Sequence, residues 1–283
     1  MGRIREIAEA TDRELEEYLD HLGWDDNPFT HPATIDEYVL PSHEDIADIA
    51  SHIRNYTGPI LVHSRYSGVG KTTLLRMLLT EFKEDYQTVQ IGEHNVTPYE
   101  LVAIVADEVG VGKSSSTKLT EQKIRQADLD EPILIGIDEF GLNDPDTLHV
   151  IQFLNDLEDY HVILTGMSSQ WEAIGGLGSE GKAFQRRVSY KLQLEPFDRE
   201  QTTELVQRRI GGVSDDFETD DIGPFTEDAL DTIHERADGV PAVVTSVCAE
   251  LVGLAAYQYS EGMGAEIDDD LARYVDYPDP EVE

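Results

Sequence analysis

Hydrophobic and polar positions in the middle of the chain follow two alternating patterns. Five short apolar runs of four to seven residues are predicted as strands, since each is bounded by polar or turn-forming residues. They cover residues 59–63, 88–91, 132–137, 161–165 and 188–194. Helical periodicity separates most of them, over residues 72–82, 98–109 and 147–157. This alternation predicts an α/β fold: a five-stranded parallel sheet with helices on both faces, whose ligands bind at the carboxyl ends of the strands.

The N-terminal part of the chain is predicted as helix. A capping box at residues 11–14 precedes apolar residues at helical spacing, and Gly23 predicts the end of this helix. A second helix is expected over residues 42–54, where apolar side chains again recur on one face.

After Pro196 the alternation of strands and helices stops. Residues 200–209, 226–237 and 241–257 are predicted as three helices of a small domain, and one last short helix is expected after them. The pattern divides the chain into four parts. They are an N-terminal helix (1–26), an α/β core (27–197), a helical lid (198–258) and an acidic segment (259–283).

One loop of the α/β core has the composition of a phosphate site. It follows the strand at 59–63, precedes the helix at 72–82, and reads Ser67-Gly68-Val69-Gly70-Lys71-Thr72-Thr73. Glycines let backbone N–H groups curl around a phosphate, the helix N-terminus favours negative charge, and the lysine reaches the β- and γ-phosphates. The hydroxyl of Thr72 is the expected magnesium ligand. The loop departs from the usual pattern at Arg65, where that pattern has glycine.

A similar segment, Gly110-Val111-Gly112-Lys113-Ser114, is predicted not to bind phosphate. It follows a helix and not a strand, so Gly110 is expected to end that helix and the serines after it to form a loop.

The second half of the predicted site is the apolar strand at 132–137, which ends in Asp138 and Glu139. The aspartate can hold the magnesium shell, and the glutamate can act as general base toward the attacking water. Since acidic pairs are common in this chain, the specificity lies in the combination of strand, acidic pair and upstream glycine loop. Together they predict binding and hydrolysis of a nucleoside triphosphate with Mg²⁺.

With these two motifs the chain resembles the AAA+ P-loop ATPases, among them the archaeal origin-recognition (replication-initiator) ATPases and helper ATPases of transposition and secretion. The resemblance covers about residues 27–257. Besides the two motifs above, it rests on YVLPSHEDI at 38–46, LEPF at 194–197, PFTEDAL at 224–230 and GVPA at 239–242. It implies ATP as the nucleotide, an adenine pocket formed by Pro28, Phe29 and residues 41–45, and action as a homo-oligomer on a protein partner.

The resemblance also implies residues that act with the phosphate site. A polar sensor is expected at the end of the fourth strand, with Thr165 favoured over Ser168. An arginine finger that reaches the γ-phosphate of a neighbouring subunit is expected just before the fifth strand, with Arg187 favoured over Arg186.

The resemblance is incomplete in the lid. The family places a second sensor arginine where this chain has Ala242, so that role is missing or falls to another residue such as Arg208 or Arg209. Replication initiators also carry a winged-helix DNA-binding domain after the lid. Since the residues after Tyr257 are few and acidic, we expect no such domain here.

The chain is strongly acidic: its 283 residues include 58 Asp and Glu against 21 Lys and Arg, for a net charge of −37. An acidic interaction surface or nucleic-acid mimic is one interpretation. The even spread of acids and the small number of lysines favour adaptation to molar salt, where the Debye length is about 3 Å and self-repulsion is screened. We therefore expect a cytoplasmic protein of a salt-loving archaeon, and we expect any nucleic-acid binding not to use a basic face.

Three function classes remain open from the sequence. The first is an oligomeric AAA+ ATPase engine or switch, with replication, recombination or transposition as possible settings. The second is a signalling switch of the STAND type, in which the nucleotide state controls partner binding. The third is a nucleotide-binding module without turnover. No membrane span is expected, because the sequence contains no apolar run of the required length.

Overall fold

The computed structural model of the protein describes residues 3–92, 96–140, 145–214, 216–217, 219–278 and 282. The chain forms two compact units. An α/β unit contains residues 40–195 together with 282–283, and a helical unit contains residues 1–39 and 196–281.

The α/β unit is built on a five-stranded sheet in which all four strand pairs are parallel. The strands are β1 (Ile60–Ser64), β2 (Gln87–Ile91), β3 (Ile133–Ile137), β4 (Tyr160–Met167) and β5 (Tyr190–Gln193). Their order across the sheet is β2-β3-β4-β1-β5. The predicted α/β fold is thereby confirmed, including the number and direction of the strands.

Seven helices of this unit lie between or beside the strands in the described part of the chain. They are α2 (His43–Asn55), α3 (Lys71–Glu81), α4 (Pro98–Glu108), α5 (Thr117–Arg125), α6 (Pro145–Asn155), α7 (Ser168–Gly176) and α8 (Gly178–Arg187). The sequence pattern did not predict α5, α7 and α8.

Helix α4 begins with a full capping box at Thr97 and Glu100, and it joins β2 and β3 in the hydrophobic core.

The helical unit contains the N-terminal helix and the four helices that follow the sheet. They are α1 (Arg3–Leu22), α9 (Arg199–Ser214), α10 (Glu227–Arg236), α11 (Pro241–Ser260) and α12 (Asp269–Tyr274). Eight side chains of α11 are buried, so this apolar helix, although long enough to span a bilayer, serves as the core helix of its unit. The three predicted lid helices and the last short helix are all present.

Helix α1 is longer than the sequence pattern predicted. It begins at Arg3, so the capping box at 11–14 does not mark its start. The residues that precede this box include strong helix formers such as Ala8 and Ala10, which explains why the helix extends across it. Its predicted end is confirmed, since Gly23 adopts a left-handed conformation with φ 74°.

Residues 27–39 group with the helical unit, although the sequence pattern placed them in the α/β core. Within the helical unit, the amide side chain of Asn27 donates to the carbonyl of Ala249 at 3.2 Å. The ring of Phe29 packs edge-on against Phe225, with centroids 5.6 Å apart. These long-range contacts attach the segment to helices that the chain reaches only much later.

A glycine lets helix α3 approach the sheet closely. Gly136 lies in the middle of β3, and a Cβ there would be 2.8 Å from the Cδ1 atoms of both Leu75 and Leu79 on α3. Real Cβ atoms do not approach other carbon atoms so closely, so any side chain at this position must displace the leucines. The helix that follows the glycine-rich loop is therefore positioned by the strand that carries Asp138.

We expect Gly136→Ala to lower the free energy of unfolding by about 1–3 kcal/mol, because the added methyl group overpacks the α3–β3 contact. Urea unfolding followed by circular dichroism measures this. Gly176→Ala is the matched control, since a Cβ at Gly176, at the end of α7, meets no atom within 4 Å. Equal stability of both variants and wild type would contradict the close packing described here.

Candidate functional site

The predicted site residues lie at one edge of the sheet. Strands β3, β4 and β1 are neighbours in the sheet, and their carboxyl ends lead to Asp138, Thr165 and the glycine-rich loop. The register of the parallel pairs sets Val62 of β1 beside Thr165 of β4, and Ser64 beside Met167. The chemistry predicted from three separate segments is therefore brought together by the strand order.

The glycine-rich loop has the backbone that a tight turn into a helix requires. Gly68 and Gly70 both have positive φ, 78° and 93°, which side chains other than glycine rarely adopt. Helix α3 begins directly afterwards at Lys71, and no side chain caps its N-terminus. The N-cap residue of this helix is Gly70, which has no side chain to accept from the first-turn N–H groups.

The ammonium group of Lys71 is directed back into the loop. It donates to the carbonyl oxygen of Tyr66 at 2.8 Å and contacts the sulfur of Met167 at 3.3 Å. Met167 ends β4 and was not predicted to belong to the site. It comes into contact with the lysine because the sheet register sets it beside Ser64, and no local sequence signal indicates this.

A hydrogen-bond cluster holds Asp138 at the end of β3. The hydroxyl of Thr165 donates to Asp138 Oδ1, and the backbone N–H of Glu139 donates to the same oxygen at 3.0 Å. Asp138 is 9% exposed and Thr165 is fully buried. Because a buried carboxylate is costly without donors, this cluster is what allows Asp138 to stand at the edge of the core.

Glu139 has an unusual backbone conformation. Its φ is 47°, in the left-handed region that costs a residue with a side chain about 1–2 kcal/mol. The neighbouring bonds hold this conformation in place, since the N–H of Phe140 donates to the carbonyl of Thr165 at 2.6 Å. Strain that the surroundings impose in this way is concentrated at functional sites.

The two candidate sensors make different contacts. Thr165 bonds to Asp138, whereas the hydroxyl of Ser168 lies 2.9 Å from Nδ1 of His63 at the end of β1. Burial lowers the pKa of His63 below its ordinary value, and the nearby Lys191 and Lys71 lower it further, while Glu195 raises it. The His63–Ser168 bond therefore joins the strand before the glycine-rich loop to the start of α7, and it leaves Thr165 as the polar group next to the carboxylates.

The two finger candidates also differ. Arg187 ends α8 and donates from one guanidinium nitrogen to both carboxylate oxygens of Asp156, at 2.9 and 3.0 Å. Arg186 is exposed and makes no ion pair with any described residue. A Cβ at Gly58 would lie 2.2 Å from the carbonyl oxygen of Arg187, so only glycine fits where the loop before β1 passes this backbone.

Both arginines proposed for the lid are engaged inside the helical unit. Arg208 bonds to Glu204 at 2.6 Å and to the carbonyl of Asp36 at 2.9 Å. Arg209 is 5% exposed and forms a buried ion pair with Glu37 at 3.1 Å. Within this unit, the two side chains hold the 27–39 segment against α9.

The residues predicted for the adenine pocket divide between the two units: Pro28 and Phe29 belong to the helical unit, and residues 41–45 belong to the α/β unit. Phe29 is 4% exposed, and its N–H donates to the side chain of Asn27 at 3.1 Å. Pro28 is buried beside it. Phe29 therefore acts as a core residue of the helical unit, and its role toward a base stays a prediction.

The segment 110–114 ends a helix, as predicted. The amides of Val111 and Gly112 donate to the carbonyl of Ala106 at 3.0 and 2.9 Å, and Gly110 has φ 80°. The carbonyls of the segment point toward the ammonium group of Lys123, at distances of 3.2–3.5 Å. Its amides and carbonyls are thus used within the α4–α5 region, and the segment lacks the geometry of a phosphate loop.

Comparison with known proteins identifies the fold. No protein-family model matches the chain. An uncharacterised HTH-type transcriptional regulator of Methanocaldococcus jannaschii is 25% identical over 108 residues, which is 38% of this chain and 26% of that protein. The chain thus spans about a quarter of the length of this relative.

Solved structures match over most of the chain. The Aeropyrum pernix ORC2 protein, in ADPNP–ADP complexes, matches with a TM-score of 0.63 and 12% identity over 88% of this chain and 71% of that one. The Thermotoga maritima RuvB Holliday junction branch migration motor matches with a TM-score of 0.54 and 16% identity over 87% and 71%. At such identities the likeness shows the fold alone, and this fold agrees with the one that the resemblance to AAA+ ATPases in the sequence implied.

We expect Thr165→Val to lower the free energy of unfolding by about 1–3 kcal/mol, because it removes a donor from a buried carboxylate while it keeps the shape of the side chain. Thr165→Ser is the matched control, since it keeps the hydroxyl. Urea unfolding of the three proteins measures the difference. A valine variant as stable as wild type would show that the bond to Asp138 contributes nothing.

Proposed function

We propose that the α/β unit of this chain, whose fold agrees with that of AAA+ ATPases, binds ATP with magnesium and hydrolyses it. In this proposal the protein is an oligomeric engine or switch that acts on a partner macromolecule. The observation that carries this proposal is the convergence of the glycine-rich loop, Lys71, Asp138 and Thr165 at one edge of the sheet. The likeness to ORC2 and RuvB supports it through the fold. Replication, recombination or transposition is the proposed setting.

The loop residues Ser67 to Thr73 fit a triphosphate. The uncapped N-terminus of α3 offers N–H groups and a favourable dipole to an anion, and glycines at 68 and 70 permit the curled backbone. In this proposal Lys71 exchanges its contacts with a neutral carbonyl and a thioether for phosphate oxygens. A carbonyl and a thioether are weaker acceptors than a phosphate, so replacing these two contacts by phosphate oxygens is favourable.

The residues beside the loop fit a magnesium ion. Mg²⁺ prefers oxygen ligands, and the proposed ones are the hydroxyl of Thr72 and, through the water shell, the carboxylate of Asp138. Among the described residues, hydrogen bonds to this carboxylate reach only Oδ1, which orients the group and leaves Oδ2 for the shell. When bound, the ion would supply positive charge against the phosphate oxygens.

Glu139 is the proposed general base, and Thr165 is the proposed sensor. The strained backbone of Glu139 directs the chain sharply away from β3 just where the carboxylate is needed. The hydroxyl of Thr165 contacts Asp138, and the N–H of Glu139 lies 3.3 Å from that hydroxyl oxygen. Thr165 is therefore preferred to Ser168, because it can sense and orient both acidic residues, whereas Ser168 pairs with His63.

Arg187 is the proposed arginine finger for a neighbouring copy of the chain. Its ion pair with Asp156 is solvent-exposed, with about half of each side chain or more accessible, and such pairs contribute roughly 0–1 kcal/mol. The arginine can therefore leave this partner at low cost. The chain just after it is attached to the loop before β1, since the N–H of Ser189 donates to the carbonyl of Pro59 at 2.9 Å.

A nucleotide-controlled switch with slow turnover, of the STAND type, is the second candidate function. The observation that favours it lies in the lid, where Ala242 replaces the second sensor arginine and Arg208 and Arg209 are already bonded within the helical unit. A lid without a sensor arginine has no charged side chain at that position to contact the γ-phosphate, so loss of this phosphate changes fewer contacts of the lid. A module that binds nucleotide without turnover is the remaining alternative. A cytoplasm with high salt remains the proposed setting for either function.

We expect Mg²⁺-dependent ATP hydrolysis in molar KCl that rises more than linearly with protein concentration, because the finger comes from a neighbouring subunit. Glu139→Gln should lower kcat by about a hundredfold to ten-thousandfold while it keeps ATP binding, since it removes only the base. The Lys71→Ala variant should no longer bind ATP. Phosphate release and fluorescent ATP titration measure the two steps. Tight binding without turnover in wild type would overturn the enzyme proposal and leave the non-hydrolytic module.

We expect Arg187→Ala to lower kcat by about a thousandfold with ATP binding retained, whereas Asp156→Asn, which only releases the arginine, keeps wild-type turnover. Arg186→Ala is the matched control on the same helix. If the loss occurs in the Arg186 variant instead, the finger is Arg186. Full turnover in both arginine variants would contradict a finger in this segment and favour the switch.

A further inference from the structure

A small basic face interrupts the acidic surface of the chain. It consists of Lys113, in the loop before α5, and of Lys118, Lys123 and Arg125 on α5, and is called here the α5 face. These residues include three of the seven lysines of the whole chain, and the span 113–125 contains Glu121 as its only acidic residue. This is the reverse of the composition of the whole chain, in which 58 acids stand against 21 Lys and Arg.

The four cations of the α5 face have no carboxylate partners. All four are exposed, and among the described residues none lies within ion-pair distance of an Asp or Glu side chain. Elsewhere in the chain, exposed arginines such as Arg54 and Arg273 are paired with acids. Other exposed cations, such as Arg186 and Lys182, also have no carboxylate partner among the described residues, so what distinguishes the α5 face is that four such cations lie within residues 113–125.

The stability of α5 explains only part of this composition. Cations near the end of a helix interact favourably with its dipole, which accounts for Lys123 and Arg125 in the last turn. Lys118 lies in the first turn and Lys113 precedes the helix, where positive charge is unfavourable. Helix stability therefore does not explain why these two residues are basic.

The face is also held rigid. Lys123 donates to the carbonyls of residues 111–113, and the N–H of Ser114 donates to the hydroxyl of Thr120 at 3.0 Å. The hydroxyl of Tyr99 donates to the carbonyl of Ser114 at 2.6 Å, which attaches the loop to α4 as well. A surface that is already ordered loses little entropy when a partner binds.

An apolar side chain lies among the cations. Leu119 is 49% exposed and stands next to Lys118 on the outer side of α5. Arg125 stacks on the ring of Phe153, and Lys123 donates to backbone carbonyls, but neither has a carboxylate partner among the described residues. Two features thus occur together, positive charge without carboxylates and an apolar anchor. A partner that offers carboxylates around an apolar residue would satisfy both.

We propose that the α5 face is a docking site for an acidic, amphipathic segment of a partner protein. A nucleic acid fits less well. Its backbone offers nothing to cover Leu119, and a nine-residue helix spans only about 14 Å, enough for few phosphates. The net charge of −37 also opposes a polyanion as dense as DNA more strongly than a short peptide.

The test measures binding of a fluorescein-labelled synthetic peptide about as long as the 113–125 segment, made of glutamates with leucines at helical spacing. Fluorescence anisotropy is recorded at the lowest KCl concentration that keeps the native circular dichroism spectrum, and then at rising KCl. Control peptides replace every glutamate by glutamine, or every leucine by serine. A single-stranded and a double-stranded oligonucleotide of the same charge are measured alongside.

We expect the double variant Lys118→Glu/Arg125→Glu to weaken binding of the peptide about tenfold or more, because two attractions become repulsions. Leu119→Ser should weaken it by about tenfold through the lost apolar contact. The matched control is Lys83→Glu/Lys182→Glu, which makes the same change in net charge at exposed positions of the same unit and should leave binding within about twofold of wild type.

Four results would overturn the proposal. They are absence of binding, equal binding by both double variants, tighter binding of an oligonucleotide that is unaffected by Leu119→Ser, and loss of self-association of the chain in the α5 variant without any effect on the peptide. The third would assign the face to nucleic acid, and the fourth would assign it to a second copy of the chain. None of these measurements depends on ATP hydrolysis.

Discussion

The candidate site depends on how one buried carboxylate is held. Asp138 stands at the end of a fully buried strand, where a carboxylate without donors would be costly. The Thr165 hydroxyl and the Glu139 amide meet this requirement, and the hydroxyl can do so because β3 and β4 are neighbours in register. The same neighbour holds the positive φ of Glu139, since the N–H of Phe140 donates to the carbonyl of Thr165. Sheet order, hydrogen bonding and local strain are thus parts of one arrangement.

The sheet was predictable because its strands are short, apolar and bounded by polar residues. Helices α7 and α8 were missed for a physical reason. Their span contains four glycines, which disfavour helix, but Ile174 and Phe184 are fully buried in the core and this packing outweighs the local preference. The helix at 117–125 was missed because its outward face is polar and only two of its residues are buried.

The sequence was sufficient to predict which residues lie at the candidate site, but not which side chains they contact. Lys71 and Asp138 each follow a recognisable strand and Thr165 lies near the end of another, so their position at one edge could be inferred. The contacts of Lys71 with Met167 and of Arg187 with Asp156 depend on register and on the packing of helices, which a local pattern does not contain. The pairing of Glu37 with Arg209 is of the same kind, since it joins residues from two distant segments.

The two-segment construction of the helical unit affects the order in which the chain can fold. Residues 27–39 leave the ribosome early, yet the partners of Asn27 and Phe29, which are Ala249 and Phe225, are synthesised only after the whole α/β unit. The α/β unit is a continuous stretch apart from residues 282–283 and can complete its sheet first. During synthesis the apolar side chains of the 27–39 segment are therefore exposed until their partners have been made. A shortened chain without residues 1–39 would avoid this exposure, but it would also lack part of the core around which the last helices assemble.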